Sequence, residues 1–596
     1  MLPFVKFGLS LFLLSSLWCA LSVTAAPLRR VRPSDATWPS VTEWEKLKKN
    51  VGGRLWPVKD PLSACRKNTK SKACFEALSL MKNPFYVQEQ PGGTELSGWF
   101  KAWDSSLSRY VVEARTTQDV VAAINFARTK NLRLVVKGGA HSYLGQSNAP
   151  DSLLLWTKNM NKITLHNAFT PHDCPGKPVP AATIEAGANW LQAYDAITTR
   201  GRRYVQGGGC TTVGVAGFIQ TGGFGEFSKR WGVASAGLLE AEVVTSDGAV
   251  LTTNACTNPD LFWALKGAGA SFGVITKVTL QTHALPKYFG SAEMKIKARS
   301  DIAFKKLLKE FFIFYRSNLL NPNWGEKIVI RKNNSLEISM LCQSLTKEQM
   351  MVIWKPFSEW VQKQSGDLET SSSLTLSVVP AEKWWDYAYL TKTMPQSIKT
   401  DQRPKARKKF WWKNSNREVG LYIQGADSLW IPKKFLSGPS LDQLVQALFD
   451  ASRLSPLELH FNKGLAGASK AVIEAAKKTP LNPVMIDAFA LLITSKGEGK
   501  VYKNIKEHEP NLVRAQKSAK RVQKAMAVMR TLIPSGGTYN PQADFFGKNW
   551  QQRAWGPHYK RLLFLKKRYD PVGLFVGRHY VGSEFWSDDG FTKIQK

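Results

Sequence analysis

Between Tyr110 and Leu280, short apolar runs trade places with amphipathic ones, a pattern that predicts strands alternating with helices. Thr116-Thr117-Gln118-Asp119 puts side-chain oxygens ahead of residues 120–129, which marks the start of a helix. Residues 132–136, 153–155 and 183–187 read as strands, and 189–198 as a helix. Residues 239–245 and 249–251 flank Asp247-Gly248, the turn of a hairpin. Residues 273–280 close this region as a β-branched strand. From about Pro286 to Pro534, helices alternate with strands at 327–331, 336–342 and 457–461, an α+β region on an antiparallel sheet. In the last strand Leu457, Leu459 and Phe461 face one side, and Glu458, His460 and Asn462 the other. That polar side either lines a cavity or is a solvated sheet face.

A chain of 596 residues exceeds one ordinary core, so two or more domains are expected. Residues 1–25 read as a secretory signal, with Lys6 before the apolar stretch 7–21 and small residues at Val23-Thr24-Ala25. No later run is long and apolar enough to cross a bilayer, so a secreted or periplasmic protein is expected. Of seven cysteines, Cys19 leaves with the signal. Cys65 and Cys74 are near in sequence, and an oxidising compartment makes them the candidate disulfide. Cys174, Cys256 and Cys342 have no assignment, and no Cys/His spacing suggests zinc.

Lys and Arg number 82 against 46 Asp and Glu, a formal charge of +36. Such a surface attracts anionic partners, cell-surface polymers among them, or is generic to a soluble exported protein. Residues 403–413 mix Arg407, Lys408 and Lys409 with Phe410, Trp411 and Trp412, a composition able to bind nucleic acid or sugars. An exported protein rarely meets nucleic acid, so a surface loop or cavity rim is preferred and no nucleic-acid partner is expected.

The candidate chemistry sits in two glycine-rich loops. Lys137-Gly138-Gly139-Ala140-His141-Ser142-Tyr143-Leu144-Gly145 follows the strand at 132–136. Gly207-Gly208-Gly209-Cys210-Thr211-Thr212-Val213-Gly214 is the second, with Gly217, Gly222, Gly223 and Gly225 behind it. Glycines let backbone approach a ligand and offer bare N–H groups to phosphates and ring carbonyls. A histidine in one loop and a thiol in the other are two nucleophiles at one cofactor, the arrangement that tethers a flavin twice. No clean GxGxxG follows a strand and no Walker loop is present, which argues against NAD-type binding. The glycines of residues 262–276 either meet the dinucleotide or form a tight turn into a core strand.

Through residues 136–149, 207–225, 261–276 and 539–586 the chain resembles FAD-linked oxidoreductases of the vanillyl-alcohol-oxidase / p-cresol-methylhydroxylase (PCMH) superfamily, in the berberine-bridge-enzyme-like branch. The resemblance runs from about Cys65 to the C-terminus. It implies an α+β, two-domain fold: an N-terminal extension (26–104), a PCMH-type FAD-binding domain (105–285), a substrate domain whose antiparallel sheet covers the flavin (286–534), and a C-terminal segment (535–596) returning to the FAD domain. It implies bonds from His141 to the 8α-methyl and from Cys210 to C6 of the isoalloxazine. Lys137, Gly138, Gly139, Ala140, Ser142, Tyr143, Gly145, Val213, Gly214, Gly217, Gly222, Gly223, Gly225, Gly273 and Ile275 would complete the cofactor site. Ala140 departs from the family, where Gly is frequent, and so does Gln542, where many relatives have Glu.

Tyr539 is implied near flavin N5, and with Glu458, His460 and Asn462 it makes the candidate catalytic set. A phenol of ordinary pKa, about 10, needs a cationic neighbour to act as a base. In the family the residue three after the tethering cysteine gates oxygen, and a small valine such as Val213 goes with oxidases. The implied activity removes a hydride from a C–H bearing a hydroxyl or amine in a small organic or sugar substrate, with O2 reduced to H2O2. A dehydrogenase with a quinone or protein acceptor is the first alternative, and a non-catalytic flavin-containing binding protein the second.

Overall fold

The computed structural model describes residues 28–404, 406–413 and 418–594; the expected signal segment and Cys19 lie outside the described residues. The helix Thr117–Thr129 begins where side chains can replace missing backbone partners. Thr116 accepts from the Asp119 N–H, and the Asp119 carboxylate accepts from the Thr116 N–H. The strands Arg133–Lys137 and Tyr110–Glu113 both pair in parallel with Ser152–Trp156, whose residues are all buried. The hairpin strands Leu238–Val244 and Val250–Asn254 turn at Asp247-Gly248, where Gly248 has φ +85°. They belong to a five-stranded antiparallel sheet with Val274–Gln281, Val179–Glu185 and Ile163–Phe169. The helix expected over 189–198 is capped by Asn189 but stays α-helical only over Trp190–Tyr194. It widens into a π-helical turn, Asp195–Arg200, that carries three consecutive β-branched residues, Ile197, Thr198 and Thr199.

A third sheet has nine strands, in the order Leu368–Pro380, Tyr288–Ala298, Ser335–Gln343, Trp324–Arg331, Leu457–His460, Ala488–Glu498, Leu421–Pro432, Leu96–Trp99 and Trp103–Asp104. Pairing is antiparallel except between Leu96–Trp99 and Leu421–Pro432. One face packs on the helices Asp301–Phe314, Lys347–Lys363 and Pro439–Leu454, in a core rich in Phe304, Phe311, Phe312, Trp354 and Phe489. Leu457, Leu459 and Phe461 point into that core and are fully buried. Glu458, His460 and Asn462 therefore lie on the opposite face.

The residues before Tyr110 are built into the sheet of Ser152–Trp156 and into the nine-stranded sheet. Leu55–Pro57 pairs with Tyr110–Glu113, while Leu96–Trp99 and Trp103–Asp104 edge the nine-stranded sheet. Strands of two to four residues carry too little periodicity to be read from sequence. The C-terminal residues pack on the 267–271 segment: Trp555 Nε1 donates to Gly267 O at 3.0 Å and the Val581 N–H to Ser271 Oγ at 3.0 Å. Cys65 and Cys74 form a disulfide, as expected. Cys174 and Cys256 form a second, across 82 residues, which spacing could not indicate. No helix among the described residues is long and apolar enough to cross a membrane.

Candidate functional site

The two glycine loops lie backbone against backbone. A Cβ on Gly139 would collide with the Gly214 nitrogen and Thr212 O, and one on Gly214 would press on the Gly139 nitrogen. Only glycine permits that approach at both positions. From the N-terminal residues, the Gln88 amide stitches the loops together by donating to Thr212 O and, at 3.3 Å, to Gly139 O. The consequence is convergence: Thr212 Oγ1 lies 3.0 Å from His141 Nε2 and 3.8 Å from Cys210 Sγ. Ala140 reaches this geometry with φ +61°, a left-handed backbone that glycine would adopt without strain.

Burial pushes the His141 imidazole down to about 4, against a smaller opposing effect of Thr212, so the ring is neutral near pH 7. Burial, with Glu418 and Glu95 adding repulsion, pushes the Cys210 thiol up to about 12. Tyr143 Oη donates to Glu418 Oε1 at 2.5 Å, and Glu418 Oε2 lies 3.9 Å from His141 Nδ1.

The polar face of Leu457–His460 forms a charged wall. Glu458 Oε2 meets Lys327 Nζ at 2.8 Å and His460 Nε2 at 3.3 Å. Burial opposes ionisation of Glu458, but His460 and Lys327 outweigh it and hold the carboxyl well below the usual range. Asn462 Nδ2 donates to Glu226 Oε2 at 3.4 Å, while Asn462 Oδ1 is buried without a partner. Glu226 joins the wall to the Cys210 loop: Asn462 reaches its Oε2, and a Cβ on Gly209 would collide with its Oε1.

Tyr539 stands elsewhere. Its hydroxyl is 3.4 Å from Thr221 Oγ1, its ring meets Phe224 edge-on, and its N–H reaches Ser428 Oγ at 3.2 Å. It thus joins the 221–225 run rather than the charged wall. Burial pushes its phenol up to about 12, with no cation offsetting the shift. No cationic side chain that would favour the phenolate contacts it among the described residues.

Several candidate cofactor residues have other engagements. The Lys137 ammonium is taken by the carbonyls of Gln90, Pro91 and Gly93. Gly273 is small because Val243 and Val244 crowd it, and Ile275 is core. The aromatic part of residues 403–413 is structural: Phe410 and Trp411 are buried, and Arg403 and Lys409 pair with Glu89.

Sequence reading missed Glu226, Glu326, Lys327, Glu418 and Lys463. Glu226 alone carried a signal, as an acid directly after a glycine run.

The site fits a large polar cofactor, because buried polar atoms around both loops lack partners. They are both amide atoms of Asn148, Thr211 Oγ1, Gln220 Nε2 and Ser235 Oγ. Buried polar groups are normally paired, and a dinucleotide with a diphosphate and ring carbonyls supplies such partners. Comparison with known proteins agrees. The FAD binding domain family matches residues 108–254, and the berberine and berberine-like family matches residues 538–579. The VAO-type flavoprotein oxidase VAO615 of Thermothelomyces thermophilus is 28% identical over 599 residues, covering 96% of this chain and 95% of that one.

This chain is an FAD-dependent oxidoreductase that carries an FAD binding domain and a berberine-like segment and is similar to VAO-type flavoprotein oxidases. Its two-domain α+β fold is that of MtVAO615 from Myceliophthora thermophila C1, with a TM-score of 0.78 at 24% identity over 95% of this chain and all of that one. The glucooligosaccharide oxidase of Acremonium strictum shares the fold with a TM-score of 0.63 at 19% identity, over 88% of this chain and 99% of that one. That protein carries a 6-S-cysteinyl, 8α-N1-histidyl FAD.

Proposed function

We propose that this FAD-dependent oxidoreductase is an exported oxidase whose flavin is held by two covalent bonds, from His141 and Cys210. The observation that carries the reading is the convergence of those two side chains on Thr212 Oγ1. The cysteinyl-histidyl flavin of the Acremonium strictum enzyme supports it, and the two disulfides support an oxidising compartment. Bound FAD supplies the hydride acceptor and hands the electrons to O2, giving H2O2. The protein supplies orientation: Asn462 and the Glu458–His460 pair present donors and acceptors suited to a hydroxyl- or amine-bearing substrate. The basic surface suits association with anionic polymers outside the cell. Screening alcohols, sugars, phenols and amines for flavin bleaching, with peroxide measured on readmitting air, tests the activity. Bleaching without peroxide would assign a dehydrogenase instead.

Val213 bears on the acceptor. Its carbonyl takes the Trp190 N–H at 3.1 Å, its N–H bonds Cys210 O at 3.4 Å, and its side chain packs at the edge of the FAD-domain core. Val213→Leu adds a methylene beside the tethering loop. Stopped-flow mixing of reduced enzyme with air-saturated buffer should show reoxidation slowed by roughly tenfold, about 1.4 kcal/mol of barrier. Reduction by substrate should change little. Equal reoxidation in both proteins would remove Val213 as the gate.

A further inference from the structure

Glu226 and Glu326 are acids that neither the motifs nor the tethering loops account for. Glu226 follows the glycine run and ends beside Cys210, since a Cβ on Gly209 would collide with Glu226 Oε1. Glu326 lies within the strand Trp324–Arg331 at φ +71°. A non-glycine residue in such a conformation costs about 1–3 kcal/mol and persists only where its surroundings enforce it. Here both strand edges do: Glu326 pairs with Met340 on one side, and its carbonyl takes the Phe461 N–H at 2.7 Å on the other. Held there, it adjoins Glu226: a Cβ on the preceding Gly325 would collide with Glu226 O, and Asn462, next to Phe461, reaches the Glu226 carboxylate.

Two adjoining carboxyls cannot both ionise cheaply, so the pair keeps one proton between them. Burial and then Glu326 push Glu226 well above the carboxylate range. Burial also opposes ionisation of Glu326, but the bond from Glu226 and the charges of His460, Lys327 and Lys463 hold it below that range. The phenols of Tyr194 and Tyr204 feel Glu226 from the FAD-domain side. Glu458, by contrast, is committed to Lys327 and His460. The unpaired Asn462 Oδ1 next to Glu226 points independently to a ligand. A buried acceptor left open costs about 1–3 kcal/mol, which a donating O–H or N–H would recover.

We propose that the Glu226–Glu326 pair is the proton acceptor of the oxidation, with Asn462 Oδ1 orienting the substrate by accepting from a second O–H or N–H on it and the Glu326 carboxylate taking the proton of the reacting hydroxyl or amine. This rests on the reading that His141 and Cys210 hold the flavin at this wall. The C–H hydrogen leaves with its electron pair to the flavin, the O–H proton passes to Glu326, and the C–O bond becomes C=O. The pair goes from one negative charge to none, and its extra proton departs with the peroxide as O2 is reduced.

The test needs no substrate. In flavin-loaded protein reduced by light with EDTA, negative charge appears beside the pair and should draw a second proton onto it. Infrared difference spectra of the wild type should show a new protonated-carboxyl band. Glu326→Gln, of the same shape, should lose that band. Glu226→Gln should instead lose the protonated-carboxyl band of the oxidised protein at neutral pH. With any compound that bleaches the wild type, Glu326→Gln should slow bleaching by about 10²–10⁴-fold. Glu226→Gln should also slow bleaching, but by less than Glu326→Gln does, because it leaves the accepting carboxylate in place and removes only its partner. No band in the wild type, or the same band in Glu326→Gln, overturns the proposal. Flavin washed free by acid overturns the tethering reading instead, and the two failures are separable.

Discussion

The double variant His141→Ala/Cys210→Ala should release all its flavin on acid precipitation, whereas wild-type protein keeps its yellow colour in the pellet. Each single variant should keep one bond and remain coloured. The two bonds should differ in how readily they form. With its imidazole at about 4, His141 offers a neutral ring with a free lone pair throughout the neutral range. With its thiol at about 12, Cys210 is ionised in only about one molecule in 10⁵ at pH 7, and the thiolate is the nucleophile. The histidyl bond is therefore expected first. Because the thiolate fraction rises tenfold per pH unit, incubating apoprotein with FAD at pH 9 should form the cysteinyl bond up to roughly a hundredfold faster than at pH 7. Mass measurement of flavin peptides over time separates the bonds. Wild-type flavin lost under denaturation, or a cysteinyl bond that forms first, would overturn this order.

The sequence was informative where one local rule decides. The capping pattern at Thr116–Asp119, the Asp247-Gly248 turn and the alternation of Leu457, Leu459 and Phe461 are each set by neighbours a few residues away. The two glycine loops were legible for the same reason, since close backbone approach excludes a side chain. What sequence could not supply was pairing at long range. Cys174 reaches Cys256, Gln88 joins two loops more than fifty residues beyond it, and Tyr143 finds Glu418 across 275 residues of chain. The candidate catalytic set divided on this point. Glu458 and His460 ride one strand and meet each other, Asn462 just past its end reaches Glu226, and Tyr539, placed by resemblance, meets Thr221. Glu326 was invisible because its position depends on a backbone angle that no local pattern demands.

Asp570→Asn should lower the stability of the protein by about 3–5 kcal/mol, the cost of breaking a buried ion pair by removing one partner. Lys566 and Asp570 are both buried, at 2.6 Å from Nζ to Oδ2. The ammonium also donates to Ser271 O at 2.6 Å and Phe575 O at 2.8 Å, so all three of its protons are used. Asp570 in turn accepts the N–H groups of Leu574 and Phe575, at 2.7 and 2.9 Å. The pair thereby fastens the helix Tyr559–Tyr569 and the segment after it to the 267–271 segment. Burial lowers the Lys566 pKa and Asp570 opposes that shift, so removing the carboxylate leaves a charge with no compensation. Lys566→Met should also destabilise, but less, because Asp570 keeps its two backbone donors and the nearby Arg30 guanidinium. The double variant Lys566→Met/Asp570→Asn should cost less than the two single changes added together, as expected for groups in direct contact. Thermal and denaturant unfolding of all four proteins, flavin-loaded and at equal concentration, measures this cycle. Full additivity, or an Asp570→Asn protein as stable as wild type, would show that the pair does not fasten the C-terminal segment.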